Sequence, residues 1–135
     1  MMWPLLEWTM ADRLSARQRH SAMVYVSITG LKLKSLIHAP AFWWHAIRSM
    51  RQAQASSGLI RAEARQINGI HHTLTVWETE AAMRAYLITG AHLAAMKAFH
   101  GIATGRTVGF LTESAPDWED VPEIWAHRGK DVPSR

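Results

Sequence analysis

The pair Asn68-Gly69 constrains this chain more than any other two residues. Both residue types tolerate a positive φ, and between two alternating segments the pair marks a β-hairpin. Before it, residues 59–67 read LIRAEARQI, with Ile60, Ala62 and Ala64 on one face and Arg61, Glu63 and Arg65 on the other. Helix propensity in RAEAR is high, but the period of two and the turn that follows favour a strand. After it, residues 72–77 read HTLTVW, β-branched and aromatic, as a half-buried strand requires. Register depends on the loop. A three-residue loop, Ile67-Asn68-Gly69 with Gly69 as a left-handed bulge, sets Arg65 opposite His71, Glu63 opposite Thr73 and Ala62 opposite Leu74. That choice keeps charged and apolar faces apart, so it is the expected one.

Downstream, Thr79 is placed to cap a helix whose first turn carries Glu80. Residues 81–87 are strong helix formers, and Gly90 can end the segment in a left-handed turn. Helical spacing then resumes over residues 91–99, with His92, Met96 and Phe99 at i, i+4 and i+7.

Upstream, residues 23–29 alternate as a strand: Val24, Val26 and Ile28 point one way, Tyr25, Ser27 and Thr29 the other. Residues 30–38 form a connector, and Pro40 suits the start of a helix over residues 41–54. Trp43, Ile47, Met50 and Ala53 or Gln54 would share its inner face, with His45, Arg48, Arg51 and Gln52 largely off it. Toward the end, residues 101–105 connect to a fourth strand over 106–112. Asp120 with Glu123 forms a capping-box pattern before a short helix over 121–128, stopped by Gly129. Residues after Lys130 are expected to fray.

The order β-α-β-β-α-β predicts an α+β chain of ferredoxin-like architecture, a four-stranded antiparallel sheet with its helices on one face. The domain spans 23–128, with an N-terminal extension or disordered tail at 1–22 and a C-terminal tail at 129–135. Tyr25, Ser27, Arg61, Glu63, Arg65, His71, Thr73, Thr75 and Trp77 would lie on the face away from the helices. That face meets either water or a second subunit, sheet to sheet. In the second case the charges must be fully paired.

Several function classes drop out. There is no cysteine, which excludes disulfides, thiol catalysis and thiolate metal sites and suits a reducing cytoplasmic setting. The net charge of +4 is scattered, with only Arg13, Arg17 and Arg19 dense, so no nucleic-acid footprint is expected. No apolar run approaches the roughly 20 residues of a membrane span, so no membrane partner is expected either. Pro4 and Glu7 interrupt the apolar N-terminus, which does not read as a signal peptide. No His, Asp or Glu spacing forms a zinc or di-iron set, so no metal site is expected. No Gly-rich phosphate loop or nucleophile elbow is present.

Several segments recur in order: HTLTVWE, AMRAY, GAH with AAM, GRTVGF, and the pair Trp118 and Trp125. On these the chain resembles the dimeric α/β-barrel superfamily, specifically antibiotic-biosynthesis-monooxygenase-like proteins. It is most similar to uncharacterised bacterial proteins related to spheroidene monooxygenase. The resemblance covers roughly residues 23–125. It implies a homodimer whose sheets face each other and a pocket between sheet and helices. It further implies oxygenation of small aromatic or polyene molecules, without a cofactor or in association with haem. Trp77, Tyr86 and His92 become the catalytic candidates, with Trp43, Met96 and Phe99 lining the ligand. His92 would be base or haem ligand. Haem-degrading relatives carry their ligand histidine three or four residues beyond this position, where this chain has Ala95 and Met96. They also carry a tryptophan where this chain has Tyr86. Read from the residues alone, Trp77 is core or pocket wall, and His92 is an accessible neutral imidazole or a hydrogen-bonded surface one. Non-catalytic ligand binding and a structural homodimer are the alternatives to oxygenation.

Overall fold

The computed structural model describes residues 23–132. The expected extension at 1–22 and residues 133–135 lie outside that range. Strand β1 (Val24–Leu33) leads through a single 3-10 turn (Leu36–His38) into α1 (Ala39–Gln54), β2 (Leu59–Ile67) and β3 (Ile70–Trp77). Two consecutive helices follow, α2 (Glu80–Leu87) and α3 (Gly90–Ile102). The chain closes with β4 (Ala103–Thr112), α4 (Val121–Arg128) and β5 (Lys130–Asp131). The sheet is antiparallel throughout, in the order β2-β3-β1-β4-β5. The first four strands take the ferredoxin-like arrangement expected from the element order.

Helix caps follow side-chain chemistry. Thr79 caps α2, its hydroxyl accepting the Ala82 N–H at 3.1 Å. Glu80 and Arg84 then pair across one turn at 2.8 Å. Gly90 adopts the left-handed conformation (φ +55°) but does not end α2, which stops at Leu87 with Ile88 as its cap; Gly90 opens α3 instead. The capping box at α4 does not form: Asp120 makes no side-chain bond to the helix, which starts on Pro122 in its first turn instead. The tail does not fray where expected. Lys130 and Asp131 pair with Thr107 and Arg106 as a fifth strand, and the Val132 N–H reaches the Gly105 carbonyl at 2.9 Å. The connectors expected around Gly30 and residues 101–105 are absorbed into longer β1, α3 and β4.

The hairpin loop is two residues long. Ile67 pairs with Ile70, and Asn68 (φ +52°) and Gly69 (φ +76°) both turn left-handed, as a type I′ turn needs. Arg65 therefore faces His72, Glu63 faces Leu74 and Ala62 faces Thr75. The irregularity sits at the far end of β2, where the register shifts between Leu59 and Arg61. The turn that best matches strand twist prevailed over face segregation.

This shift corrects the assignment of faces. Tyr25, Leu59, Ala62 and Trp77 pack toward the helices with Ala53, Met83 and Tyr86. His71 lies there too, its ring 4.7 Å from Phe42 and 5.2 Å from Trp43 of α1. The face away from α1, α2 and α3 is apolar: Val26, Ile28, Leu74, Val76 and Val108 form one core with Trp118 and Val121. Ile124 and Trp125 of α4 pack against that core. Arg61, Glu63 and Arg65 lie on this side and meet Trp118 of their own chain. Its indole N–H donates to Glu63 at 2.8 Å, Arg65 lies 5.0 Å over its ring, and Arg61 pairs with Glu63 at 2.6 Å. At Gly30 the missing side chain leaves room for the Trp125 indole, whose N–H reaches the Arg106 carbonyl at 2.9 Å.

Candidate functional site

The structure brings together three of the six expected site residues. Trp77 ends β3 and is fully buried. Tyr86 of α2 stacks over it at 5.2 Å between ring centroids, tilted by 32°. His92 of α3 also packs against Tyr86, at 4.6 Å between ring centroids. A strand end, a short helix and the start of a second helix thus converge on one aromatic column.

The remaining three are elsewhere. α1 is rotated relative to the expected face: Phe42 and Ala53 point inward while Trp43, Ile47 and Arg51 point out. Trp43 packs on Phe42 and His71, not on Trp77. Met96 is exposed, because the inner face of α3 runs through His92, Ala95 and Phe99. Phe99 is buried but pairs with His100 at 5.6 Å, apart from the residues packed round Trp77.

Two polar residues of α1 complete the site and are not evident from helical apolar spacing. The Gln52 amide N–H donates to the Thr89 carbonyl at 2.9 Å, the Tyr86 carbonyl at 3.2 Å and the Thr89 hydroxyl at 3.2 Å. Its oxygen accepts the His92 backbone N–H at 2.8 Å. Gln52 thereby caps α3 from another helix, a task that Thr89 does not perform with its own side chain. Gly90 permits this approach, since a Cβ there would stand 3.2 Å from the Gln52 oxygen. Ser49 offers its carbonyl to the Tyr86 hydroxyl at 3.0 Å.

Protonation follows from these contacts. Burial pushes the Tyr86 phenol up to about 12, so it stays a donor. Burial lowers the His92 pKa, partly opposed by its bond to the Leu87 carbonyl. That carbonyl can only accept, so at 3.1 Å the His92 Nδ1 carries the proton. The neutral ring then bears its lone pair on Nε2, the atom able to take a proton or bind a metal.

Two buried groups in this neighbourhood have no hydrogen-bond partner: the Trp77 indole N–H and the Ser49 hydroxyl. Two shallow surface concavities among the described residues, about 410 Å³ each, lie elsewhere. One is bordered by Trp44, Ile47, Arg48 and Arg51, the other by Asp120, Glu123, Ile124, His127 and Arg128. A haem iron would have only the Nε2 of His92 to bind, since Nδ1 is engaged with the Leu87 carbonyl. Among the described residues no group of three or more His, Asp or Glu could hold a metal ion. No described helix is long and apolar enough to cross a membrane.

No protein-family profile and no curated protein sequence matches the chain. Solved structures do. SnoaB of Streptomyces nogalater, a cofactor-independent oxygenase, superposes with a TM-score of 0.55 at 15% identity, over 70% of this chain and 94% of its own. A Nitrosomonas europaea protein assigned as an antibiotic biosynthesis monooxygenase gives 0.56 at 15% identity, over 65% and 95%. A Pseudomonas aeruginosa protein gives 0.59 at 13% identity, over 72% and 99%. The chain therefore shares the ferredoxin-like fold of these structures.

Proposed function

We propose that this protein is a monooxygenase-type homodimer that binds a small, flat, apolar molecule, aromatic or polyene, at Trp77, Tyr86 and His92. The observation that carries the reading is the unpartnered Trp77 indole N–H. A buried donor without an acceptor is costly by about 1–3 kcal/mol, and a ligand oxygen beside Trp77 would remove that cost. The fold shared with SnoaB supports an oxygenase chemistry. Sheet-to-sheet dimerisation would bring a partner against the side of the sheet that Trp118 and α4 already flank.

In this reading Tyr86 moves off Trp77 to admit the substrate, and the Trp77 N–H holds a substrate oxygen. His92 Nε2 draws a proton from an activated ring CH2 that lies across the ring from that carbonyl oxygen and is conjugated with it. The resulting carbanion reduces dioxygen, so that CH2 plus O2 becomes C=O plus H2O, with all four electrons supplied by the substrate carbon and no external reductant.

Anthrone, a tricyclic with an acidic ring CH2, serves as the probe. The wild-type chain should raise dioxygen uptake and anthraquinone formation with saturation. Trp77→Phe should abolish saturation while leaving the fold intact, and His92→Ala should lower the rate. Equal rates for wild type and both variants would overturn the reading. A Soret shift on haemin titration, lost in His92→Ala, would instead indicate haem ligation.

A second reading, a structural protein with a filled core, is favoured by one observation: the aromatic column is close-packed and neither concavity opens on it. In this reading wild type and Trp77→Phe give the same unsaturable anthrone oxidation, and Trp77→Phe acts only on stability, through the cavity left by the smaller ring.

A further inference from the structure

We propose that the outward stripe of α1 and the 3-10 turn before it dock onto an anionic lipid bilayer. The stripe follows helical spacing: Ile37, Pro40, Trp44, Ile47 and Arg51 lie on one side, flanked by Leu36, Trp43 and Arg48, and all are exposed. Leu36 and Ile37 stand out at the tip, 86% and 79% exposed, and Trp44 and Ile47 are 60% and 50% exposed. An apolar surface this open is costly in water and marks an interaction site.

Charge identifies the occupant. No Asp or Glu occurs anywhere between Arg13 and Ala62, nor between Ala81 and Thr112. Those stretches include the whole of α1 and of α3, the helix that packs beside it. The cations Arg48 and Arg51 lie beside Trp44 and Ile47 of the stripe, without an acid on either helix. Arg48 lies 5.1 Å from the Trp44 ring centroid, and Trp44, Ile47, Arg48 and Arg51 border a shallow, open concavity. A second copy of the same surface would set these arginines against one another. Tryptophans at the level of headgroups, aliphatics below them and basic side chains at the rim suit a bilayer surface. Such docking requires no spanning helix.

The test is flotation of the full chain with phosphatidylcholine vesicles, with and without phosphatidylglycerol. Binding should require phosphatidylglycerol and should weaken with salt. Arg48→Gln and Arg51→Gln should each weaken it about fivefold. Leu36→Ser with Ile37→Ser should abolish flotation with an unchanged circular-dichroism spectrum and thermal midpoint. Equal binding to both vesicle types, or binding that all these variants retain, would overturn the proposal. So would a sedimentation-measured oligomer that Trp44→Arg disperses, which would assign the stripe to self-association. A stripe protected from modification by residues 1–22 in lipid-free solution would likewise overturn it.

Discussion

Gln52 accepts the backbone N–H of His92 at 2.8 Å, so a side chain of α1 terminates α3. The same amide holds two carbonyls at the α2–α3 junction. Gln52→Ala leaves these groups without partners. It should lower stability by about 1–3 kcal/mol in urea unfolding. It should also loosen His92, detectable as a change in its NMR titration. Gln52→Glu places an acceptor against the Tyr86 and Thr89 carbonyls and should be no better tolerated.

The hairpin turn gives a cleaner conformational test. A Cβ at Gly69 would meet nothing within 4 Å, so only its φ of +76° resists substitution. Gly69→Ala should therefore cost about 1–2 kcal/mol, the penalty of a left-handed L-residue. Asn68→Gly should be nearly neutral. A three-residue loop would instead have left position 68 indifferent to its residue type.

Acid should destabilise the protein through its histidines. His71, His72 and His92 all have pKa values lowered by burial from the ordinary 6.5. Between that value and their folded values the unfolded chain binds more protons than the folded one. Their contribution is thus complete above 6.5 and is lost as the pH falls through the folded values. The thermal midpoint should drop between about pH 7 and pH 5, and His72→Gln should flatten that slope. A midpoint independent of pH across this interval would contradict the burial of these rings.

Glu63 supplies a second acid-sensitive link. Its hydrogen bonds, first from Arg61 and then from Trp118, hold its pKa below the ordinary 4.5. Folded-state stabilisation is present above 4.5 and disappears as the pH falls through the lower folded value. Glu63→Gln should remove this low-pH component, and Trp118→Phe should remove part of it. Both variants should also increase the fluorescence quenching of the region by acrylamide, since Trp118 anchors the approach to α4.

Local chemistry made most of the fold legible. The boundaries of β2 and α4, the Thr79 cap and the left-handed Gly90 follow from residue types a few positions apart. The face of each strand did not follow. It depends on a one-residue choice in the loop at Asn68-Gly69, and a slip of one inverts every side chain. The aromatic column was legible because Trp77, Tyr86 and His92 lie on neighbouring elements. Gln52 was not, because a polar residue on an inner helix face is recognised only by the distant carbonyls it satisfies. Trp43 misled for the converse reason: its bulk suits a core, yet Phe42 beside it takes that place. The polar face expected away from α1, α2 and α3 is instead apolar in β1 and β3, where Val26, Ile28, Leu74 and Val76 point that way and pack on Trp118 and α4, far along the chain.

The irregularity between Leu59 and Arg61 has a bearing on how this protein can change. A surplus residue there, the outward Ile60, lets Leu59 join Trp77 under the helices while Glu63 reaches Trp118 on the reverse side. The two halves of the molecule are thereby synchronised by one amino acid. Deleting it would force the strand to choose which layer to abandon, whereas polar replacements that keep the spacing should pass unnoticed.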